Sequence, residues 1–382
     1  MIWGAIINDL QKNHHPSTSL SLLNLIIGLQ NFGLNAAPFV TGRLGEIYGF
    51  KRMIAIGSIS AIIMLVISAC TVDSLPCLFI FQGILLGIAH GFSLPLFMTI
   101  PSQWFSKRRG LATGITVSGT GFGGGIASLI MRGILPSLGY RNSLLVYTGI
   151  SAIVYVVAWL LIEVRKPPLK AAPQRFDTKT GLPPGIHKDY AFWCLLASVF
   201  FGVFGFLTPS YYLTSMTEAV VPGLDPNSLK PAVPLIVSNF TLGIGRMVAG
   251  SLADYFGPVN CLIFSFFAGG TLQLAMWSTA DSYGLIIGFA ALVYFLGGWF
   301  FFLMPQAAAQ LFGFRGLASI VGYVVTSQSP GQLAGASISG VVLNSTGSYA
   351  NVAYYAGTLM LVGSLCMVPA RVLREPRIFA RY

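Results

Sequence analysis

Apolar stretches of about 20 residues recur along this sequence, separated by short segments that hold almost all of its charge. A helix needs about 20 apolar residues to cross the hydrocarbon of a bilayer. Eleven stretches meet that requirement: 18–40, 53–70, 75–98, 111–131, 143–162, 191–213, 233–253, 258–278, 284–308, 317–341 and 350–370. All eleven Asp and Glu residues fall outside them, and only two ionisable side chains, His90 and Arg246, fall well inside. The pattern predicts an all-α polytopic membrane protein.

Composition sharpens that reading. Of the 382 residues, 54% are hydrophobic and 9% charged, against about 25% charged in soluble domains. This excludes an ordinary soluble enzyme, a disordered chain and a secreted disulfide scaffold. The five cysteines (Cys70, Cys77, Cys194, Cys261, Cys366) show no CxxC spacing, so neither a metal site nor a disulfide framework is expected.

The net charge of +11 invites a nucleic-acid reading, but loop topology accounts for it better. With the 41–52 loop placed in the cytoplasm and sides alternating from there, seventeen Lys and Arg residues fall on that side. Only Lys12, Arg132, Arg141 and Lys230 fall on the other. Basic residues accumulate in cytoplasmic loops, so the C-terminus is expected there, in a multi-pass protein of the plasma membrane.

The longest connection, 164–190, is rich in Pro, Lys and Arg. It is expected to be a cytoplasmic linker joining an N-terminal bundle (1–163, five spans) to a C-terminal bundle (191–382, six spans). An internal repeat supports two halves. Gly42 to Arg52 aligns without gaps to Gly250 to Asn260, matching Gly42/Gly250, Leu44/Leu252, Glu46/Asp254 and Gly49/Gly257 at an offset of 208. Arg109-Gly110-Leu111-Ala112 recurs as Arg315-Gly316-Leu317-Ala318 at an offset of 206. Shifting span 191–213 back by that amount places its counterpart mostly before Met1, so Met1 to Ile7 reads as the end of a first helix otherwise missing. A truncated gene start is the expected reason.

These residues resemble the major facilitator transporters, which have two six-helix halves. Gly42-Arg43-Leu44-Gly45-Glu46-Ile47-Tyr48-Gly49-Phe50-Lys51-Arg52 is similar to the loop motif after the second helix of that family, with Glu for the usual Asp and one extra residue before the basic pair. Trp104 to Gly114, reaching to Gly119, resembles the monocarboxylate-porter motif, in particular that of fungal members. The resemblance implies alternating access, a small organic acid or related metabolite as solute, and a proton as the candidate coupling ion. It also implies that Arg43, Glu46, Arg108, Arg109 and Asp254 form charge pairs between helices that hold one conformation closed; topology alone also requires basic residues there. The family's carboxylate carriers place an Asp one turn before the arginine of the eighth helix, whereas this chain has Leu242 four residues before Arg246.

Several residues are candidates for lining a solute pathway. A charge near the bilayer centre normally faces a cavity or a partner. Arg246, with Asn239 two turns earlier on the same face, is the expected contact for an anionic group; snorkelling or pairing with Asp254 is the alternative. His90 is either a proton acceptor or a hydrogen-bonding residue of a helix interface; its helix reads Gly83-x-x-x-Gly87-x-x-x-Gly91, spacing that allows close helix approach. Asn24, Asn31 and Asn35 share a face, Gln306 and Gln310 pair at i+4, and Thr326, Gln328 and Gln332 make span 317–341 polar. Interhelical hydrogen bonding competes with cavity lining for all of them.

Gly119 to Gly124 fits a dinucleotide pattern but lies inside an apolar span, where that pattern carries no meaning. Asn344-Ser345-Thr346 is a glycosylation sequon in an expected short outer loop. No nucleophile–base pair, metal cluster or phosphate loop is legible. A secondary transporter without cofactor or nucleic-acid partner is therefore expected, with export of a cell-made metabolite as one direction. A non-transporting membrane sensor, a scaffold or an inactive truncated transporter is the alternative.

Overall fold

The computed structural model describes residues 6–7, 10–18, 20–105, 107–165, 182–221 and 230–375. Most of the 164–190 connection, the middle of the 214–232 loop, Met1 to Ala5 and the last seven residues lie outside the described residues. Among the described residues every regular element is a helix. We number the principal helices α1 (Leu20–Ala36), α2 (Pro38–Tyr48), α3 (Phe50–Cys70), α4 (Leu75–Trp104), α5 (Arg109–Leu161) and α6 (Tyr190–Val220). They continue as α7 (Val233–Phe256), α8 (Pro258–Trp277), α9 (Tyr283–Phe312), α10 (Leu317–Ser327), α11 (Ser329–Thr346) and α12 (Tyr349–Arg374).

Eight of these are long and apolar enough to cross a membrane. The differences from the sequence expectation are local and have physical causes. Helix α5 runs through two expected spans, 111–131 and 143–162, but Gly139 sits at φ 68° within it, so the run is two helices meeting at a left-handed residue. Only glycine takes that conformation at no steric cost. Span 18–40 is broken at Ala37, before the helix-initiating Pro38, and span 317–341 at Gln328. Helix α9 is interrupted at Gly298 and Trp299.

The sequence repeat is realised in the backbone. Gly49 (φ 97°) ends α2 and lets α3 begin at once; Gly257 (φ 88°) does the same between α7 and α8. The glycines aligned at offset 208 thus make equivalent turns.

Two compact units are interleaved along the chain. Met1–Trp104, Gly123–Pro183 and Ala318–Ser329 form the first; Phe105–Phe122, Pro184–Leu317 and Pro330–Tyr382 form the second.

In the first unit, Leu23, Ile26, Ala61, Leu65, Leu78, Met131 and Leu144 build one continuous apolar core. A buried polar knot crosses it: the Ser68 and Tyr140 hydroxyls both donate to Gln82 Oε1, at 2.9 and 2.8 Å. The glycine row of α4 packs on α1 as its spacing predicted. A Cβ on Gly87 would stand 2.3 Å from the Gln30 carbonyl oxygen, and one on Gly91 2.8 Å from that of Leu34. Without a Cβ at these positions the two main chains pack against each other, which gains dispersion over the whole seam.

In the second unit, aromatic rings fill the centre. Phe206 meets Tyr294 and Phe300 edge-on, and Phe300 stacks on Phe266. Helix α12 packs along α6, with Gly363 against the Ser198 carbonyl oxygen.

The α1–α4 seam yields a stability prediction. Gly87→Leu should lower the thermal midpoint of the purified protein, because overpacking a tight seam costs about 1–3 kcal/mol. Gly133→Ala, where a Cβ meets nothing within 4 Å, should leave the midpoint unchanged or slightly raised. Thermal unfolding in detergent, followed by tryptophan fluorescence, tests both.

Candidate functional site

One contact is made twice, once in each unit. In the second unit, Asp254 near the end of α7 accepts hydrogen bonds from Gly110 N (2.6 Å) and Leu111 N (2.9 Å), the first N–H groups of α5. In the first unit, Glu46 in the last turn of α2 accepts from Ser319 N (3.2 Å), in the first turn of α10. Adding 208 to Glu46 gives 254, and adding 208 to 110 and 111 gives 318 and 319. The first N–H groups of a helix lack internal partners and carry the positive end of its dipole, so a carboxylate is the group best suited to them.

Glycines bring the backbones close enough for this. A Cβ on Gly250 would lie 2.6 Å from the Gly110 carbonyl oxygen, and one on Gly114 2.5 Å from that of Arg246. In the first unit, Gly42 and Gly322 meet Ala318 and Pro38 in the same way.

This geometry corrects two expectations. The tetrapeptide match at offset 206 is not the structural register, which is 208, because α5 begins at Arg109 whereas its counterpart α10 begins at Leu317. The carboxylates cap helix ends rather than pairing with arginines. Arg108 is exposed, and Arg43 is half-buried. Arg109 donates through Nε to the Phe105 carbonyl oxygen and lies 4.2 Å over the Phe314 ring.

The two copies differ electrostatically. Glu46 Oε1 has its backbone donor, but Oε2 is buried with no hydrogen-bond partner among the described residues. Burial raises the Glu46 carboxyl from the usual 4.5 to about 7, while the backbone N–H groups of Ser319 and Ala318 pull it down.

Arg246 occupies a different niche in the second unit. It is 5% exposed. Its Nη1 donates to Thr120 Oγ1 and to the Val117 carbonyl oxygen (3.3 Å), and Nε to the Gly298 carbonyl oxygen (3.3 Å). The guanidinium also lies 5.1 Å over the Phe301 ring. Gly298 presents that carbonyl because α9 is interrupted there. Neither Asp254 nor any other carboxylate pairs with Arg246 among the described residues. Among the described residues, this buried cation sits on neutral oxygens and an aromatic face.

The other candidates make the following contacts. Gln306 is buried and donates to the Arg109 carbonyl oxygen at 3.3 Å, on the seam that carries Asp254. Gln310 accepts from Val259 N. Asn239 is half-buried and donates to Leu235 O in its own helix. His90 Nε2 lies 3.4 Å from the Tyr155 hydroxyl, a long contact across a helix interface.

On α1, Asn24 is exposed, Asn31 half-buried and Asn35 buried. Asn35 Oδ1 accepts from Gln328 Nε2 (2.6 Å), at the break between α10 and α11. Gln332 lies half-buried on α11, and Thr326 donates to Ala36 O at 3.4 Å. Asn344 is exposed, but in the last turn of α11 rather than in a loop, which begins only at Gly347.

Thr120, Gly298 and Phe301 were not legible as partners of Arg246. Thr120 sits in the glycine-rich stretch whose pattern speaks only of helix packing.

Membrane-length helices and a repeated contact in two units define a multi-pass membrane protein built from related halves. Residues 1–238 match the sequence profile of the Major Facilitator Superfamily. The chain belongs to the Major Facilitator Superfamily.

It is 27% identical over 363 residues to MFS-type transporter 1 of Ophiocordyceps sp. (strain BCC 1869), covering 95% of this chain and 79% of that protein. It is 29% identical over 374 residues to the aspyridones efflux protein apdF of Emericella nidulans (strain FGSC A4), covering 96% and 73%. Its fold is similar to that of the proton:xylose symporter XylE bound to 6-bromo-6-deoxy-D-glucose, with a TM-score of 0.73 at 14% identity over 96% of this chain and 91% of that one.

The raised Glu46 carboxyl gives a pH prediction. A buried acid with a raised value holds its proton more tightly in the folded contact than when exposed. Stability is therefore full below about pH 4.5 and falls as pH rises to about 7. Relative to Glu46→Gln, the native protein should lose thermal stability across that interval. Equal pH slopes for the two proteins would remove Glu46 as the cause.

Proposed function

We propose that this protein is a secondary active exporter of a small organic acid or related metabolite. Two bundles, 1–163 and 191–382, rock about a midplane site by alternating access, and the 164–190 segment links them on the cytoplasmic side. The protein resides in the plasma membrane with its C-terminus in the cytoplasm. Arg246 holds the anionic group of the solute, and Asn239 on the same helix face adds a polar contact. Glu46 and Asp254, each seated on a helix N-terminus within its own unit, favour one closed state, with Arg43, Arg108 and Arg109 on the cytoplasmic loops.

The observation that carries this reading is the Arg246 niche. Burying a cation without a counter-charge is costly, and neutral oxygens repay it only in part. An anion arriving at that side chain completes what the protein leaves incomplete. Export is favoured by relatives named as efflux proteins, for aspyridones and for agnestins. A proton is the expected coupling ion. The acidic residues lie outside the membrane spans, which leaves His90 as the titratable candidate for carrying it.

The test compares cell extract and medium from strains with the gene deleted and restored. A compound that accumulates inside the deletion strain and returns to the medium on restoration identifies the cargo. Arg246→Ala should lower its initial efflux roughly tenfold to a hundredfold, as loss of a charge-assisted hydrogen bond of about 1.5–3 kcal/mol implies. Arg246→Lys should recover part of the rate. Full efflux by an Arg246→Ala protein made at normal levels would refute the assignment of that residue.

A further inference from the structure

A cleft of about 480 Å³ opens at the charged end of the first unit, lined by Lys51, Trp104, Ile162, Glu163, Val164 and Arg165. It belongs to the first unit, whereas Arg246 belongs to the second, and none of its lining residues is part of the proposed solute site. Its walls are three chain ends tied to one another. The Trp104 indole N–H donates to the Glu163 carbonyl oxygen at 2.9 Å, and the Trp159 indole N–H to the Lys51 carbonyl oxygen at 3.1 Å. Arg165 Nη1 donates to the Gln103 carbonyl oxygen at 3.3 Å. The start of α3, the end of α4 and the end of α5 are thereby held in register without any ligand.

Two cations stand in this frame. Lys51 Nζ rests 4.8 Å over the Trp159 ring, and Arg165 gives one of its five N–H donors to Gln103. Glu163 is the acidic residue of the lining, so the side-chain charge of the cleft sums to +1. An anion is the matching ligand, and the surroundings say which kind. The last turns of α5 below the cleft expose Leu160 (62%) and Leu161 (78%), with Val156 and Val157 also exposed. That strip is apolar and faces out of the protein. Tryptophan pairs beside basic side chains are the usual furniture of the membrane interface. A soluble anion would make no use of the strip, whereas a molecule with an anionic head and acyl chains would use both.

We propose that the Lys51–Trp104–Arg165 cleft is a binding site for an anionic glycerophospholipid, with its phosphate between Lys51 and Arg165 and its acyl chains along the exposed face of α5. Basic pockets between helices at the charged end of a membrane protein are suited to such headgroups. The two tryptophan hydrogen bonds pre-order the site, so binding costs little rearrangement.

The test uses the full-length protein in phosphatidylcholine vesicles containing a minor fraction of spin-labelled phosphatidylglycerol or spin-labelled phosphatidylcholine. Electron paramagnetic resonance reads the motionally restricted fraction of each. The native protein should restrict the anionic label preferentially. Lys51→Gln or Arg165→Gln should each lower that preference about five-fold, the equivalent of ~1 kcal/mol per basic residue at the surface. Lys188→Gln with Arg315→Gln, exposed basic residues outside the cleft, should leave it unchanged.

A preference that survives the Lys51→Gln/Arg165→Gln double variant, in protein with an unchanged thermal midpoint, overturns the proposal. So does an equal loss in the Lys188/Arg315 control, which would reduce the effect to general attraction by basic loops. Displacement of the label by millimolar inorganic phosphate would assign the cleft to a soluble anion and overturn the lipid reading.

Discussion

A carboxylate seated on the first N–H groups of a helix is the interaction on which this architecture turns. It appears once through Asp254 and once through Glu46, each at the end of a helix whose next residues are a left-handed glycine and an immediate restart. Each requires the two backbones to approach until main-chain atoms touch, and that is why the glycines at 42, 110, 114, 250 and 322 stand where they do. The acid, the turn glycine and the contact glycines form one device. The internal repeat preserves it at a single offset although little else of the two halves is alike in sequence.

The copies are chemically unequal. Asp254 uses both oxygens on short backbone hydrogen bonds, whereas Glu46 uses one at 3.2 Å and buries the other with no hydrogen-bond partner among the described residues. The longer side chain at 46 reaches the same helix end from a less favourable place. Burial pushes the Glu46 carboxyl up to about 7.

Much of this was legible in the sequence. Span positions follow from hydropathy, because a helix in lipid has to satisfy its backbone internally and present apolar side chains outward. The α1–α4 seam follows from Gly83, Gly87 and Gly91, and the paired turns from Gly49 and Gly257. What stayed hidden depends on where a helix begins. The Arg-Gly-Leu-Ala repeat suggested 206 because matching letters does not reveal that one helix starts at the arginine and the other two residues after it. Arg246 stood out for its charge, but its partners are a carbonyl freed by a break in α9 and a hydroxyl from a glycine-rich stretch. Neither leaves a charge pattern to read. Asn239, by contrast, shares the predicted face of Arg246 and spends its amide on its own helix.

The donors in both capping contacts are main-chain N–H groups, at Gly110, Leu111 and Ser319. They belong to no side chain, so at Leu111 and Ser319 the donor is silent to alanine scanning, whereas a Cβ on Gly110 would stand 2.2 Å from the Gly250 carbonyl oxygen. Genetic variation can weaken it there only by a proline, which deletes the N–H, or by a bulkier residue that separates the backbones. All other heritable tuning has to pass through the acid, where Asp and Glu already mark the two settings this chain carries.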